Sequence, residues 1–421
     1  MKRAFLLILS AVLLCGCGGG KASVTSPLRA EELSTGSDKG YSAVNYSYIK
    51  AVWLSQYDLY DILTCNGNQR EVREFTDMIS KVLDNVRAMG LNTVIVQVRP
   101  FGDSFYPSDY YPMSAYAVGR YGEQSSYDAF KVILNEAHRR GLSVHAWINP
   151  LRAMRTDEIE DIDSADYVVK AWYDSYDDRV SEVSGRLYLN PAYEEVRELV
   201  CNGAAEIVGK YDVDGIHIGD YFYPTTDVGF DAVAYETYLL SGGELLLEDF
   251  RREQINKLVS GIYSAVKDEN DSVLFGVSPS GVMKNNYEQL YADVAKWCAE
   301  EGYLDYVCPQ IYFGFEHSTC PFDRVLDEFV SIVEKGKAKL VVGLSLGKAA
   351  EEYDPYAGVG KYEWRDNKDI IKRSLETVLA TERCDGISLF SYRLFYDPVS
   401  GEEVEGTAKE RGNFLPLLKI K

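Results

Sequence analysis

The sequence predicts an α/β fold made of one closed barrel of eight parallel strands with a helix after each strand, the (β/α)8 or TIM barrel. Short, nearly continuous apolar runs alternate with amphipathic segments from residue 50 onward. Such runs are typical of strands that are buried on both faces. No glycine-rich phosphate loop follows an early run. This disfavours the main alternative, a doubly wound open sheet.

Each predicted element has its own pattern. The first helix places Phe75, Ile79, Val82 and Val86 on one face and ends at Gly90, the spacing and the terminator that a helix requires. The predicted strands are 50–56, 92–99, 143–149, 213–219, 273–279, 306–313, 339–345 and 385–392. The other predicted helices lie at 127–140, 196–208, 255–266, 287–301, 322–335 and 367–382. Long loops at 57–70, 150–190 and 221–248 follow strands, on the face where such barrels keep their active sites.

The amino terminus has the pattern of an export signal. Lys2 and Arg3 precede a short apolar run at 4–14, which is too short to span a membrane as a mature helix. Leu14-Cys15-Gly16-Cys17 resembles a bacterial lipobox, which predicts that Cys17 carries a lipid. We therefore expect an exported lipoprotein anchored at the bacterial cell envelope; the alternative is a cleaved signal and free secretion. The predicted segments are a signal peptide at 1–17, a flexible Gly/Ser/Thr-rich linker at 18–47, the barrel at 48–400 and a C-terminal extension at 401–421.

The composition favours some classes of binding partner and disfavours others. The net charge is −21 with no basic tract, which argues against nucleic acid because phosphate binding needs clustered Lys and Arg. Aromatic residues make up 13% of the chain, including 32 tyrosines, which suits a glycan-binding surface, although tyrosines also occur simply on strands and loops. Apart from Cys15 and Cys17, the cysteines show neither C-x-x-C nor zinc spacing, so most are expected to be buried thiols. We expect a glycan substrate, a membrane contact through the lipid, and no cofactor or metal; nothing in the sequence indicates an oligomeric state.

Polar and aromatic residues stand at or just after the strand ends, where barrel strands converge on one face. Asp220 follows the fourth strand beside three aromatic residues, a partly dry setting that raises a carboxyl pKa and suits a general acid for glycosidic bonds. Glycoside hydrolysis ordinarily uses a second carboxylate, and Asp103 and Glu316 are available. The predicted substrate-binding residues are Arg99, His145, Trp147, Asn149, Arg152, His217, Tyr221, Tyr223, Gln310, Tyr312 and Arg393.

Structural roles are open for several of these residues. Arg99 is alternatively a counter-ion for Asp103, and His217 a core histidine. Asn149 before Pro150 would also serve to turn the chain, and Gln310 to bind backbone at the barrel rim. A metal held by His145, His217 and Asp220 is conceivable, but nothing in their spacing requires one.

Several motifs follow one another along the predicted barrel. They are Ala51-Val52-Trp53-Leu54, Val96-Gln97-Val98-Arg99-Pro100 with Gly102-Asp103, His145-Ala146-Trp147-Ile148-Asn149-Pro150, Tyr188-Leu189-Asn190-Pro191, Asp214-Gly215-Ile216-His217, Gly276-Val277-Ser278-Pro279 and Pro309-Gln310-Ile311-Tyr312. In this order they resemble the glycosyl hydrolase-like 10 family over roughly residues 48–395. The resemblance implies an exported, often lipid-anchored (β/α)8 barrel. It also implies activity on glycan strands of peptidoglycan, which some members attack.

The chain departs from this family at the end of the fourth strand. The family usually has two adjacent aspartates there, whereas this chain has Gly219 followed by Asp220. Two hypotheses follow: a glycoside hydrolase on β-1,4-linked amino-sugar glycan with Asp220 as general acid/base, or a non-catalytic glycan-binding lipoprotein that has lost one aspartate. A hydrolase of a different polysaccharide is a third, weaker alternative.

Overall fold

The chain folds into a closed barrel of eight parallel strands, which confirms the predicted fold class. The computed structural model describes residues 40–163, 167–219 and 222–419. Strands that follow one another in the sequence pair in the barrel, and the last strand pairs with the first. The strands are β1 Ile49–Leu54, β2 Thr93–Arg99, β3 Ser143–Ile148, β4 Gly215–Ile218, β5 Leu274–Val277, β6 Tyr306–Val307, β7 Lys339–Ser345 and β8 Gly386–Phe390.

A ring of helices surrounds the barrel. Helix α1 buries the predicted face of Phe75, Ile79, Val82 and Val86, and the chain leaves it through Gly90 at a φ of 88°. The ring helices are α1 Val72–Ala88, α2 Ala129–Arg139, α3 Glu194–Lys210, α4 Leu247–Glu269, α5 Val294–Ala299, α6 Phe322–Val333, α7 Ile370–Ala380 and α8 Ala408–Leu418. Within the described ranges, no helix has both the length and the apolar character that crossing a membrane requires.

Smaller elements decorate the loops. The short α-helices are Gln56–Leu63, Ala115–Val118, Val168–Asp174, Ala232–Leu240, Met283–Glu288 and Glu363–Asp366. The 3-10 turns are Ile159–Asp161, Gly347–Ala350, Gly358–Gly360, Tyr392–Leu394 and Glu405–Thr407. A hairpin pairs Thr64–Cys65 with Asn68–Gln69. After β3, an antiparallel sheet is formed by Arg152–Arg155, Val180–Val183 and Arg186–Leu189.

The barrel interior is filled by large side chains that face glycines. Alternate strand residues point inward, and Trp53, Ile95, Trp147 and Tyr306 form one buried interior cluster. The ring of Tyr306 lies over Gly276, where an added Cβ would stand 2.0 Å from the ring atom Cζ. A Cβ on Gly215 would likewise stand 2.6 Å from His145 Cγ. Two of the strand glycines are therefore required by close packing across neighbouring strands.

A segment before β1 closes the end of the barrel opposite the strand carboxyl ends. It includes Tyr41, Ala43, Val44 and Asn45, and we call it the amino-terminal arm. The buried carboxylate of Asp214, directly before β4, accepts hydrogen bonds from the Tyr41 hydroxyl and the Val44 N–H, both at 2.6 Å. His138 Nε2 lies 2.9 Å from the same carboxylate. The Ala43 N–H donates to Ser272 Oγ before β5. The arm is thus fixed to the amino-terminal ends of two strands.

Three predicted boundaries differ from the structure. The end of the predicted linker at 18–47 lies against the barrel, because Tyr41, Ala43 and Val44 are hydrogen-bonded to it. The predicted C-terminal extension contains helix α8, which buries Phe414 and Leu418 and so belongs to the ring. Strand β6 covers only Tyr306–Val307 instead of 306–313, because Pro309 has no N–H for the ladder. The signal peptide and the lipid attachment at Cys17 lie outside the described residues and remain predictions.

The described cysteines after Cys17 are free thiols. Cys298, Cys308 and Cys384 are buried, whereas Cys65 is exposed. Inside the barrel the Cys308 Sγ lies 3.1 Å from the hydroxyl oxygen of Ser388. The three buried thiols act as small packing groups.

Candidate active site

Aromatic rings form the floor of the barrel at the carboxyl ends of the strands. Trp53 of β1 meets Trp147 of β3 edge to face, with centroids 4.8 Å apart, and meets Phe390 of β8 at 6.0 Å. The Tyr312 ring stacks on Phe390 at 6.2 Å. Trp53 and Trp147 are nearly buried, while Phe390 and Tyr312 are half-buried. We call these four rings the aromatic floor.

Hydrogen bonds hold the floor in place. The Trp147 indole N–H donates to Asn149 Oδ1 at 3.0 Å, and the Asn149 side-chain amide donates to the Pro100 carbonyl at 2.9 Å. The Trp53 indole N–H donates to Ser388 Oγ at 3.1 Å. Asn149 is buried, and its amide connects Trp147 to the turn after β2.

Below the floor, a tyrosine hydroxyl joins two histidines. The Tyr306 hydroxyl lies 2.8 Å from His145 Nδ1 and 2.7 Å from His217 Nδ1. Burial lowers the pKa of His145 to about 4 and the pKa of His217 well below its usual range. Both predicted substrate-binding histidines therefore stand inside the barrel as neutral, hydrogen-bonded groups.

The loop after β2 turns two predicted site residues inward. Arg99 is buried, and its guanidinium carbon lies 4.3 Å from the ring centroid of Tyr111 and close to Gly203 of α3. Asp103 is completely buried and accepts the Phe101 N–H at 2.8 Å. Burial raises the pKa of the Asp103 carboxyl to about 6. In this conformation neither side chain is reachable by a glycan, and Arg99 faces the helix layer.

Arg152 lies in the inserted sheet after β3. It is half-buried, with its guanidinium carbon 5.1 Å from the centroid of Phe101. Arg186 lies over the same ring at 4.4 Å. The insertion thereby brings cationic side chains together around Phe101.

The loop after β4 carries the main catalytic prediction. Asp220 and Tyr221 lie outside the described residues. Tyr223 is buried and packs against Tyr291 at 5.2 Å between centroids, so it supports the loop and offers no surface for stacking on a sugar. Beneath it, Arg251 of α4 and Asp231 form a fully buried ion pair at 2.6 Å. The Arg251 guanidinium also donates to the carbonyls of Thr226 and Asp227, which fixes the loop.

The remaining predicted residues lie on the loops after β6 and β8. Gln310 is half-buried and its side-chain amide donates to the Ser278 carbonyl at 3.4 Å, the predicted backbone role. Glu316 is exposed, and its N–H donates to the buried carboxylate of Glu363 at 2.8 Å. The Arg393 side chain is exposed beside Asp61 at 3.3 Å, so it belongs to the rim.

The structure also brings forward residues that the sequence-based list lacks. Trp53 and Phe390 complete the aromatic floor, and alternation within their strands was a usable signal for both. Tyr306 lacked such a signal, because its bonds to two histidines depend on the register between strands.

A hollow of about 770 Å³ lies beside the loop after β2. None of the predicted site residues lines it.

The glycosyl hydrolase-like 10 family model matches residues 48–356 of the chain. The chain is 32% identical over 346 residues to glycosyl hydrolase YngK of Bacillus subtilis, a match that covers 77% of this chain and 64% of that relative, so the chain spans less than two thirds of its length. It is 29% identical over 421 residues to glycosyl hydrolase DigH of Escherichia coli, which covers 93% of this chain and 92% of that protein.

Solved structures share the fold. The glycoside hydrolase domain of PgaB (BpsB) from Bordetella bronchiseptica has a TM-score of 0.54 at 11% identity and covers 87% of this chain and 99% of that one. The catalytic domain of β-amylase from Paenibacillus polymyxa has a TM-score of 0.56 at 12% identity, with 90% and 100% covered. At these identities the similarity concerns the barrel alone.

Proposed function

The chain belongs to the glycosyl hydrolase-like 10 family, and from that premise we propose that it hydrolyses cell-envelope amino-sugar glycan. The substrate would be glycan strands of peptidoglycan or a related β-1,4-linked polymer. The observation that carries the proposal is the aromatic floor at the mouth of a barrel from this family. Flat apolar rings with a few fixed polar groups are the usual lining of a small-ligand or sugar site. The predicted export signal supports a substrate outside the cytoplasm.

Asp220 is the proposed general acid/base. In the sequence it follows the last residue of β4 by two positions, and barrels of this kind carry catalytic groups on the loops after their strands. Protonation of the glycosidic oxygen by its carboxyl would allow the bond to the anomeric carbon to break. Tyr312 and Trp147 would position the sugar, and Arg152 is a half-buried cation that suits the carboxylate of a muramyl residue.

A second function is favoured by the two other carboxylates of the prediction. Asp103 is completely buried, and Glu316 is exposed on a loop. Together with glycine at position 219, this arrangement supports a glycan-binding lipoprotein that holds its ligand without cleaving it. Both functions use the same aromatic floor.

Product analysis by mass spectrometry separates the two. The protein is incubated with peptide-free peptidoglycan strands and, in parallel, with N-acetylglucosamine oligomers. We expect shortened glycans from the wild type and at least about a hundredfold slower cleavage by Asp220→Asn, the loss typical of a general acid. Glu301→Gln is the matched control, because Glu301 is an exposed carboxylate paired with Lys337 away from the strand carboxyl ends. Cleavage that survives in Asp220→Asn rejects this residue as the acid; binding without cleavage by the wild type supports the second function.

A further inference from the structure

A column of hydrogen bonds runs along the barrel interior from the amino-terminal arm toward the aromatic floor. Its members are Asn45 of the arm, His145 of β3, Tyr306 of β6 and His217 of β4. Asn45 Oδ1 lies 3.2 Å from His145 Nε2. His145 Nδ1 and His217 Nδ1 both contact the single hydroxyl of Tyr306, at 2.8 and 2.7 Å.

The direction of each bond in this column is determined by its lower end. The Asn45 side-chain N–H donates to the Asp214 carbonyl at 3.0 Å, so the amide oxygen is left to face His145. His145 must therefore carry its proton on Nε2, and its Nδ1 is an acceptor for the Tyr306 hydroxyl. A hydroxyl has one proton, so toward His217 the same oxygen is an acceptor. His217 consequently donates from Nδ1.

This order leaves a lone pair on His217 Nε2. Both histidines are fully enclosed, and burial lowers the pKa of each, so neither takes a second proton near neutral pH. Nε2 lies on the imidazole edge away from the Tyr306 hydroxyl. It is buried and has no hydrogen-bond partner among the described residues.

Two indole N–H donors beside His217, those of Trp53 and Trp147, are already engaged. Its ring meets Trp53 edge to face at 4.7 Å between centroids, but the Trp53 indole N–H is bonded to Ser388. The Trp147 indole N–H is bonded to Asn149. Strand alternation makes position 219 the next interior position on this strand, and glycine has no side chain to donate there. Among the described residues, none therefore supplies the missing donor to His217 Nε2.

We propose that His217 Nε2 is an acceptor site for a hydroxyl donor beneath the aromatic floor. A buried water occupies it in the free protein, and this water contacts a sugar hydroxyl when a glycan is bound, a second step that rests on the proposed function. Tyr306 fixes the tautomer that makes the acceptor. His217 is then a positioning residue, which acts on the glycan through the water.

Nitrogen-15 NMR of the imidazole rings tests the acceptor without any substrate. The full chain contains four histidines, and single His→Gln variants assign their signals. We expect His145 protonated on Nε2, and His217 protonated on Nδ1 with an unprotonated Nε2 whose shift is that of a hydrogen-bonded nitrogen. Protonation of His217 on Nε2, or an Nε2 shift typical of a free lone pair, overturns the proposal. The wild-type spectrum decides this even if variants fold poorly.

Tyr306→Phe tests the cause of the tautomer. It keeps the ring and removes the hydroxyl, so we expect the His217 preference for Nδ1 to be lost. Tyr48→Phe is the matched control, since it also removes a buried hydroxyl without a described partner and lies directly before β1, at the amino-terminal end of the barrel. An unchanged His217 tautomer in Tyr306→Phe contradicts the assigned order of bonds.

The glycan step uses Asp220→Asn, in which ligand binds without turnover. On addition of N-acetylglucosamine tetramer, we expect the His217 Nε2 signal to shift and the His138 signals to stay unchanged. Tetramer that binds without moving the His217 signal overturns the contact with the glycan. If the protein binds no amino-sugar glycan, the proposed function is rejected. The tautomer spectra still show whether His217 Nε2 is a hydrogen-bonded acceptor.

Discussion

Substitution of Gly276 by alanine is expected to destabilise the barrel strongly. The added Cβ would stand 2.0, 2.3 and 2.5 Å from three ring carbons of Tyr306, including the one that carries the hydroxyl. Forcing a methyl group into a packed core costs about 1–3 kcal/mol. Displacement of the hydroxyl also breaks its two histidine bonds, each worth about 1 kcal/mol. Together these effects lower the free energy of unfolding by about 3–5 kcal/mol.

Urea denaturation followed by tryptophan fluorescence measures this loss. Gly412→Ala in α8 is the control, because nothing lies within 4 Å of the added Cβ, and alanine there should stabilise the helix by up to about 1 kcal/mol. In a Tyr306→Ala background the clash is absent, so Gly276→Ala should cost less than about 0.5 kcal/mol. A loss below about 1 kcal/mol in the wild type, or an equal loss in both backgrounds, would refute the packing argument.

Three further predictions concern stability and binding. Because burial raises the pKa of Asp103 to about 6, the folded chain keeps a proton that the unfolded chain releases near pH 4. Asp103 should therefore contribute a fall of on the order of 3 kcal/mol in the free energy of unfolding from pH 4 to 6. Asp103→Asn should remove this contribution and leave that of Glu410, whose pKa burial raises to about 7; wild-type and variant pH profiles that run parallel would contradict the prediction. Arg251→Met should lower the free energy of unfolding by about 3–5 kcal/mol, because Asp231 is left buried without its cation. The double variant Arg251→Met/Asp231→Leu should recover most of this loss in urea denaturation; no recovery would be inconsistent with a pairing effect. Tyr312→Ala should weaken binding of N-acetylglucosamine oligomers about tenfold in calorimetry, while Tyr176→Ala, at a ring that is 95% exposed, should not; equal effects would exclude Tyr312 as a stacking surface.

The barrel was predictable because its strands are buried on both faces and therefore apolar throughout. The seventh predicted strand, 339–345, agrees residue for residue with β7 Lys339–Ser345. The helices were predictable from their spacing, although the helix predicted at 287–301 is reduced to Val294–Ala299. Boundaries failed where tertiary contacts decide them, as at the arm and at α8.

The site was less predictable because alternation fixes side-chain direction only within a strand. Arg99 stands where the register between β2 and β3 shifts, and its side chain turns toward α3. Asp103 and Tyr223 lie beyond their strands, where loop packing buries them. The link from Tyr306 to two histidines depends on which residues face each other across three strands. A sequence indicates such a contact only indirectly, through the glycines opposite the large rings.

The amino-terminal arm has a mechanical consequence. The arm is bound directly before strand β4, through the bonds of Tyr41 and Val44 to Asp214, and the predicted acid follows the other end of this strand. For a barrel anchored through Cys17, as the sequence predicts, any pull on the anchor would enter the fold at these bonds. The load would act on the end of the barrel away from the mouth.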